Sequence, residues 1–352
     1  MRVHLLAPPN APLDSGHSLD GFVATTIKFS RLLKELGHTV FVYAGEGSIV
    51  SCDELVTVVS KAEQKKLLKG SKYQYAGADN RYPLWELANK RTIAAIESRK
   101  QPRDFICTIG GTSQQAVTQA HPELADVEYS IGYAGSYARH RVFESHAWRY
   151  QTYGKENKVN GNSFDEVIPL FYDPAEFKLR EKKEPFALFV GRLTHSKGIT
   201  TACQAAENAG IPLKVIGHGD RKLVTHGAKY LGALSEEARN DWMSRASVLL
   251  CPTIYTEPFG GVAVEAQLCG TPVVSTNYGA FSETIEHGRT GFRCAYLGEF
   301  SRAILAATQL DPFYIRERAV SRYSLATAGK AYARYFDRLK LLWDEGWNTV
   351  HK

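Results

Sequence analysis

Two glutamates that frame a glycine pair are the strongest chemical feature of the sequence. Glu257 is followed by Pro258 and then, after one residue, by Gly260 and Gly261. Because a proline disfavours helical geometry in the residue before it, we expect Glu257 in a loop and a helix that begins at the glycines. The first turn of a helix carries unpaired N–H groups and partial positive charge, so this helix start suits a phosphate group.

The second glutamate, Glu265, is predicted to lie about two turns into the same helix. Its neighbours make the helix apolar nearly all round, which implies burial: Val262, Ala263, Val264, Ala266 and Leu268. A buried carboxylate needs a partner or a ligand. One carboxylate at the mouth and one deeper could hold two parts of one elongated ligand, such as the sugar and the ribose of a nucleotide sugar. Considered alone, the carboxylates also fit a surface loop with two solvated glutamates.

A glycine-rich, basic turn supplies the next candidates. The buried strand expected at residues 186–190 is followed by Gly191, Arg192 and Lys197, and helical sequence resumes at Ile199. Two cations beside a helix N-terminus form an arrangement that binds diphosphates. The alternative is a surface loop with two solvated cations.

The composition is that of an ordinary globular protein. The chain has 352 residues, of which 44% are hydrophobic and 23% charged, and this length suggests two domains. The net charge of +6 is compatible with a phosphate-bearing ligand, an anionic membrane surface or nucleic acid. Six scattered cysteines favour reduced thiols. We expect a cytoplasmic protein without signal peptide or transmembrane segment, with peripheral membrane contact left open.

Strand and helix patterns alternate along the N-terminal half. An apolar run at residues 2–7, helical periodicity at 22–36 and an apolar run at 39–43 form a βαβ unit, which begins a Rossmann-like sheet. A further strand at residues 105–109 runs into the polar, glycine-rich turn 110–114. Open α/β sheets bind ligands at such turns, although a plain turn fits these residues almost as well.

Residues 127–154 are dense in aromatic and basic side chains. They form a candidate acceptor-binding surface, for which the leading residues are Tyr133, Arg139, Arg141 and His146. An amphipathic helix with a basic outer face explains the same residues equally well.

The sequence around the two glutamates has a family resemblance. Residues 257–266, EPFGGVAVEA, closely resemble the E-x7-E signature of retaining GT-B glycosyltransferases of the family-4 type, and the following CGTPVVSTNYGAFSETIEHGRTGF resembles that family's continuation. The resemblance implies an α/β fold of the GT-B type, with two Rossmann-like domains, a deep cleft between them and a C-terminal helix that crosses back to the N-terminal domain. The implied boundaries are 1–168 for the acceptor-binding domain, 169–326 for the nucleotide-sugar-binding domain and 327–352 for the returning helix.

The resemblance also implies roles for the candidate residues. Arg192 and Lys197 are expected to hold the donor diphosphate and Glu257 to orient the sugar, which makes these three the candidate catalytic residues. The expected donor-binding residues are Gly16, Gly191, Gly217, Gly219, Phe259, Gly260, Gly261, Val262 and Glu265. Relatives also use a histidine of the N-terminal domain on the donor sugar, for which His140 and His146 are candidates. No D-x-D sequence occurs, so we expect no metal and no cofactor beyond the nucleotide sugar.

The implied reaction is the retaining transfer of a hexose or pentose from a nucleotide-diphosphate sugar to a hydroxyl acceptor. The default acceptor is a glycan or a glycolipid, and residues 127–154 leave a hydroxymethylated DNA base open. Two other classes stay as alternatives: a nucleotide-sugar epimerase and a catalytically silent nucleotide-sugar-binding protein. A glycoside hydrolase would need a close carboxylate pair and would leave Arg192 and Lys197 unexplained.

Overall fold

The computed structural model describes residues 1–14, 21–68 and 82–344, and these form two compact units. The N-terminal unit comprises residues 1–144, 152–169 and the chain from Ala328 onward, and the C-terminal unit comprises residues 145–151 and 170–327. Gly16 lies outside the described residues.

A seven-stranded parallel sheet forms the centre of the N-terminal unit. Its order is β3-β2-β1-β4-β5-β6-β7. The strands are β1 (Arg2–Leu6), β2 (Thr39–Gly45), β3 (Glu54–Val59), β4 (Phe105–Thr108), β5 (Ala125–Ile131), β6 (His140–Phe143) and β7 (Glu166–Val167). In register, Val3 of β1 lies between Val40 of β2 and Phe105 of β4. The chain therefore runs outward from β1 in one direction and from β4 in the other.

Helices cover this sheet and include the last helix of the described chain. They are α1 (Gly21–Glu35), α2 (Lys61–Leu67), α3 (Pro83–Glu97), α4 (Gln115–Ala120), α5 (His146–Lys155) from Thr152 onward, and α12 (Leu325–Asp344) from Ala328 onward. The rings of Tyr332 and Phe336 on α12 pack against Phe29 of α1 and Phe105 of β4, with ring centroids 4.9 Å and 5.3 Å apart. Aromatic rings supply large buried apolar areas, so these contacts fix α12 in the core of the N-terminal unit.

The C-terminal unit repeats this architecture around a six-stranded parallel sheet of order β10-β9-β8-β11-β12-β13. The strands are β8 (Glu184–Val190), β9 (Leu213–Ile216), β10 (Lys229–Gly232), β11 (Ala246–Cys251), β12 (Val273–Thr276) and β13 (Gly291–Cys294). The helices are α6 (Ile199–Asn208), α7 (Glu236–Arg245), α8 (Gly261–Leu268), α9 (Phe281–Thr284), α10 (Leu297–Ala307) and α11 (Pro312–Tyr323).

Strand β8 shows how the sheet of the C-terminal unit is buried on both faces. Phe186, Leu188 and Val190 belong to a core cluster shared with helix α8, whereas Ala187 and Phe189 belong to a cluster shared with α6 and α10. Successive side chains of a strand point to opposite faces, and parallel sheets covered on both faces read as continuous apolar runs. The predicted α/β class with two Rossmann-like sheets is confirmed.

The structure corrects two secondary-structure expectations. Residues 127–154 contain most of β5, the whole of β6 and most of α5, so they do not form one amphipathic helix. The predicted helical tail beyond Arg302 consists of three helices, α10 to α12, with breaks at 308–311 and at Ser324. In the described ranges, no helix combines the length and the apolar character needed to cross a membrane.

Candidate functional site

The candidate residues of the C-terminal unit gather where its strand order reverses. The chain leaves β8 toward β9 and β10, and it returns to the other side of β8 with β11. In open α/β sheets, ligands bind outside the carboxyl ends of the strands at such a reversal. The loop after β8 carries Arg192 and Lys197, and the loop after β11 carries Glu257. The topology thus brings together two segments that are far apart in the sequence.

The glycine turns after β8 and β9 are bonded to each other. The N–H of Leu193 donates to the carbonyl of His218 over 2.8 Å, and the N–H of Asp220 donates to the carbonyl of Leu193 over 3.1 Å. Gly217 has a φ of 149°, and a Cβ at this position would overlap the carbonyl of Gly191. Only glycine fits such an approach without distortion. Gly191, Gly217 and Gly219 therefore build one close-packed floor at the strand ends.

Lys197 forms the central ion pair of the site. It ends a short 3₁₀ turn, His195–Lys197, directly before helix α6. Its Nζ lies 2.7 Å from Oε2 of Glu257 and 5.0 Å from the ring centroid of Tyr255. Burial acts to lower the pKa of Lys197, but the Glu257 charge and Tyr255 outweigh it, so the pKa lies above its ordinary value. Lys197 is accordingly a permanent cation near neutral pH.

Arg192 differs from Lys197 in its surroundings. Its side chain is exposed, and within the described ranges its guanidinium makes no hydrogen bond or ion pair. A planar guanidinium with open donors matches the oxygens of a phosphate. The same loop therefore carries Lys197, which is paired with Glu257, and Arg192, whose guanidinium has no partner within the described ranges.

Helix α8 begins at the glycine pair, as predicted. Gly260 precedes it with a φ of 79°, and an added Cβ there would lie 2.7 Å from the Phe281 ring. The first N–H groups of a helix have no intrahelical acceptor, so the main chain at Gly261 and Val262 presents donors toward the loop. Glu257 precedes this helix start in a loop, also as predicted.

Glu265 lies nearer to the helix start than predicted. It follows Gly261 by four residues, which is about one turn and not two. Its side chain is 13% exposed, and its Oε2 lies 3.7 Å from Nη2 of Arg239 on helix α7. That separation is too long for a hydrogen bond, and Oε2 has no hydrogen-bond partner in the described part of the chain. Glu265 therefore has Arg239 as an ion-pair partner, and its Oε2 makes no hydrogen bond within the described residues.

Two predicted donor-binding side chains do not face open space. The ring of Phe259 is 2% exposed and packs edge-on against Tyr323, with centroids 5.7 Å apart. Val262 packs against the same core cluster. A ligand could therefore meet Phe259 only through its main chain, whereas Val262 stays partly exposed. Gly16, the remaining predicted donor residue, lies outside the described residues.

The acceptor-side arginines are engaged in internal contacts. Arg141 is 3% exposed, and its guanidinium donates to Asp165 over 2.7 Å and to Glu156 over 2.9 Å. Arg139 pairs with Asp126 and donates to the carbonyl of Leu124. The expectation that Arg141 faces an acceptor is wrong, because a buried cation needs its carboxylate partners. Arg139 likewise directs its donors to Asp126 in β5 and to the loop that precedes this strand.

The remaining N-terminal candidates have polar partners of their own. The hydroxyl of Tyr133 accepts from the N–H of Gly110 over 2.8 Å and donates to Glu128 over 3.1 Å. The His140 ring is buried, and its Nδ1 lies 2.9 Å from the carbonyl oxygen of Asp126. These contacts give Tyr133 and His140 structural roles.

His146 lies in the first turn of helix α5. Its main-chain N–H donates to Glu283 over 2.9 Å, and its ring Nδ1 lies 3.2 Å from Nη2 of Arg149. Like Tyr133 and His140, it therefore already has polar partners within the chain.

Three site residues were missed in the sequence. Tyr255 stands two positions before Glu257, and this proximity in the sequence could have identified it as a site residue. Ser145 donates to the carbonyl of Pro258 over 2.5 Å and so fixes the glutamate loop. Arg239 meets Glu265 from another helix. Neither Ser145 nor Arg239 has a local sequence pattern that could have revealed its contact.

Solved structures share this architecture. Sucrose-phosphate synthase from Thermosynechococcus elongatus superposes with a TM-score of 0.71 at 17% identity, over 97% of this chain and 99% of that chain. HepE of Anabaena, solved in complex with UDP-glucose, gives a TM-score of 0.63 at 17% identity, over 96% and 100% of the two chains. The seven-stranded and six-stranded parallel sheets are thus those of a GT-B fold.

The C-terminal unit also matches a sequence family. Residues 173–306 match the family model described as glycosyl transferases group 1, and this segment holds Arg192, Lys197, Glu257 and Glu265. The phosphatidyl-myo-inositol mannosyltransferase of Propionibacterium freudenreichii subsp. shermanii is 35% identical over 141 residues, 37% of this chain and 37% of that protein. The glycogen synthase of Mycobacterium tuberculosis is 30% identical over 172 residues, 42% of this chain and 41% of that protein. The matches span less than half of these relatives.

Proposed function

We propose that the protein is a glycosyltransferase that moves a sugar from a nucleotide-diphosphate sugar to a hydroxyl acceptor, with retention of anomeric configuration and without a metal. The observation that carries this proposal is the ion pair between Lys197 and Glu257, 2.7 Å long, beside the start of helix α8. The proposal is further supported by the match of residues 173–306 to the family model of group 1 glycosyl transferases.

The chemistry follows from the charges at the strand ends. Breaking the bond between the sugar C1 and the β-phosphate oxygen leaves an additional negative charge on the nucleoside diphosphate. Arg192, Lys197 and the N–H groups at the start of α8 are preorganised donors for that charge, and such donors are worth most in a partly dry site. In the proposed complex, Lys197 turns from Glu257 toward the phosphate, and Glu257 is released to accept hydrogen bonds from sugar hydroxyls.

The proposed reaction forms one bond at the sugar C1 and breaks another on the same face. The acceptor oxygen bonds to C1 on the face from which the diphosphate departs, and the acceptor proton passes to the departing phosphate oxygen. Atoms and charge therefore balance without a protein nucleophile. The cations of Arg192 and Lys197 take the electrostatic role that a metal ion has in other transferases.

The acceptor is proposed to be a glycan or a glycolipid. The DNA alternative drew on basic residues between 127 and 154, of which Arg139 and Arg141 are paired with Asp126, Asp165 and Glu156. These two charges are neutralised within the fold, so they are not available to a phosphate backbone. For the donor, UDP-glucose is a natural first probe, since HepE of Anabaena was solved with it. All six cysteines are unpaired thiols, which agrees with our proposal of a cytoplasmic enzyme.

Thermal melting against a ligand panel tests this proposal. The panel contains UDP, GDP, ADP, CDP and their common sugars, each measured with EDTA and with Mg²⁺. A ligand that binds only the native state raises the melting temperature by mass action. We expect one base to give a shift that is equal in EDTA and Mg²⁺. A shift that requires Mg²⁺ would contradict the metal-independent site, and the absence of any shift would contradict the function.

A turnover assay distinguishes a transferase from the two alternative classes, an epimerase and a silent binding protein. A transferase consumes the bound nucleotide sugar and releases the nucleoside diphosphate when an acceptor is present. An epimerase converts the donor without an acceptor, and a silent binding protein leaves it intact. Chromatography of the nucleotide fraction distinguishes the three outcomes.

A further inference from the structure

Two segments of the C-terminal unit hold the main chain around Glu257. The first is the loop after β12, in which the N–H of Ala280 donates to the carbonyl of Glu257 over 3.0 Å. Gly279 in the same loop packs so closely that an added Cβ would lie 2.8 Å from the main-chain nitrogen of Glu257. These contacts fix the main chain of Glu257 itself, and the second segment holds the residue that follows it.

The second segment is the start of helix α5, which belongs to the C-terminal unit up to residue 151. The hydroxyl of Ser145 donates to the carbonyl of Pro258 over 2.5 Å and accepts from the N–H of Trp148 over 3.0 Å. A hydroxyl has a single proton, and Ser145 is 2% exposed, so this proton is committed to Pro258. Because proline also fixes its own φ, an anchored Pro258 carbonyl restricts the peptide group that joins it to Glu257.

Glu283 fixes the start of α5 in turn. Its carboxylate oxygens accept from the N–H groups of His146 and Ala147 over 2.9 Å and 2.7 Å. The first N–H groups of a helix lack intrahelical acceptors and carry partial positive charge, so a carboxylate stabilises them. Glu283 lies on α9, three residues after Ala280. The loop after β12 and α9 therefore hold the helix start that carries Ser145.

The held main chain matters because the side chain of Glu257 has two tasks in the proposed reaction. It pairs with Lys197 before the donor binds, and it accepts hydrogen bonds from sugar hydroxyls afterwards. The carboxylate turns between these partners about its side-chain bonds, so its final position at the sugar depends on where the main chain is held. A displacement of about 1 Å at a reacting site can cost on the order of 10²-fold in rate.

We propose that Ser145 is a positioning residue for sugar transfer, which holds the carbonyl of Pro258 and thereby sets the place of the Glu257 carboxylate against the sugar. This inference rests on the proposed function and extends the site to a serine that does not itself touch the donor. It implies that Ser145 affects the rate of transfer only through Glu257 and leaves the affinity for the nucleoside diphosphate unchanged.

Replacing Ser145 by glycine tests the proposal with little loss of helix stability, because glycine is nearly as favourable as serine before the first turn of a helix. Ser145→Ala is the second variant and avoids the backbone freedom that glycine adds. The probes are UDP and UDP-glucose, or the diphosphate and sugar that the melting panel selects. We expect donor consumption at saturating nucleotide sugar to fall tenfold or more in both variants, while the Kd of the diphosphate, measured by calorimetry, changes less than threefold.

Asp311→Ala is the matched control for a lost helix cap. Asp311 accepts from the N–H of Phe313 over 2.9 Å at the start of α11 in the same unit. The adjacent Pro312 lines a pocket with Pro185 near the beginning of β8, so this cap lies at the opposite edge of the sheet. We expect Asp311→Ala to lower the melting temperature as Ser145→Ala does and to keep both the rate and the Kd of wild type.

A double-mutant cycle separates positioning from a general structural effect. Ser145→Gly is combined with Glu257→Ala, and donor consumption is compared with that of Glu257→Ala alone. If Ser145 acts through Glu257, its replacement changes the rate less than threefold once the carboxylate is gone. A purely structural role would lower the rate by the same factor in both backgrounds and would overturn the proposal.

The remaining outcomes also decide between the alternatives. Near-normal turnover in the folded Ser145→Gly and Ser145→Ala variants overturns the role of Ser145 and leaves the proposed function intact. A loss of diphosphate affinity as large as the loss of rate does the same, because the hydroxyl would then shape the diphosphate site. Absence of both nucleotide binding and donor consumption in wild type overturns the proposed function itself, and this inference with it.

Discussion

The ammonium group of Lys197 lies 2.7 Å from Oε2 of Glu257, although the two residues are sixty positions apart. The contact exists because β8 and β11 are neighbours in the sheet and both loops leave it at the same edge. The pair holds the cation in position before a ligand arrives. It also means that an incoming diphosphate competes with a carboxylate for the same ammonium group.

Replacing Lys197 by alanine should cut turnover severely while the fold survives. Loss of one preorganised donor at a developing charge costs about 10²- to 10³-fold in rate. Donor consumption is measured under saturating nucleotide sugar, and melting curves report on the fold. Lys222→Ala is the control, since Lys222 is an exposed cation of the same unit. A variant at position 197 that keeps near-normal turnover would refute the diphosphate role.

Replacing Glu257 by glutamine should separate binding of the nucleotide from turnover. The change removes the main charge that raises the pKa of Lys197 and frees its ammonium group for phosphate. We expect the nucleoside diphosphate to bind at least as tightly as in wild type, while sugar transfer falls by about 10²-fold or more, because the sugar hydroxyls lose a charged carboxylate and keep only a weaker amide oxygen as their hydrogen-bond acceptor. Calorimetry with the diphosphate and rate measurements with the sugar donor provide the two readings. A strong loss of diphosphate affinity would argue against this division of roles.

Gly217→Ala should destabilise the C-terminal unit. The added Cβ would overlap the Gly191 carbonyl at a φ of 149°, and backbone clashes of this kind cost several kcal/mol, on the order of 3 or more. Urea unfolding gives the difference in free energy. Gly232→Ala is the matched control, because Gly232 lies in the same unit, has a φ of 95° and has no atom within 4 Å of its added Cβ. Equal stability of the two variants would show that the glycine floor is not tightly packed.

The buried carboxyl of Glu128 should make the stability of the N-terminal unit depend on pH. Glu128 is 0% exposed, and burial raises its pKa from 4.5 to about 7 although it accepts hydrogen bonds from Tyr133, Tyr137 and Ala138. Between these values the folded state binds more protons than the unfolded state, so the free energy of unfolding falls as pH rises. The fall is on the order of 3 kcal/mol, since one pKa unit corresponds to about 1.4 kcal/mol.

Unfolding curves of wild type and Glu128→Gln between pH 4.5 and 7.5 isolate this contribution. The difference in unfolding free energy should change across the window and level off above it. Glu86→Gln removes an exposed carboxyl of the same unit and serves as the control. Parallel wild-type and Glu128→Gln curves would contradict the titration of Glu128.

Secondary-structure features that depend on a few neighbouring residues could be predicted from the sequence. Proline, glycine and apolar periodicity identified the start of α8 at Gly261 and the strand before Gly191, because these signals act over a few residues. The same signals placed Glu265 too far from the start of α8, because the exact first residue of a helix depends on its cap.

Contacts between distant segments could not be read in this way. Arg141 looked like an exposed cation next to aromatic residues, yet it is buried against Asp165, twenty-four positions away. Arg239 reaches Glu265 only because α7 and α8 pack side by side. Such pairs depend on strand order and on register, and a single sequence does not record either.

The stereochemistry of the first product tests the central claim most directly. The α-configured nucleotide sugar that gives the largest melting shift is incubated with the protein in EDTA, and ¹H NMR follows the anomeric signals before mutarotation, with water as the acceptor. A retaining, metal-independent transferase releases the α-anomer first, and Lys197→Ala suppresses the signal. Initial release of the β-anomer, or donor turnover that stops when EDTA is added, would contradict the account.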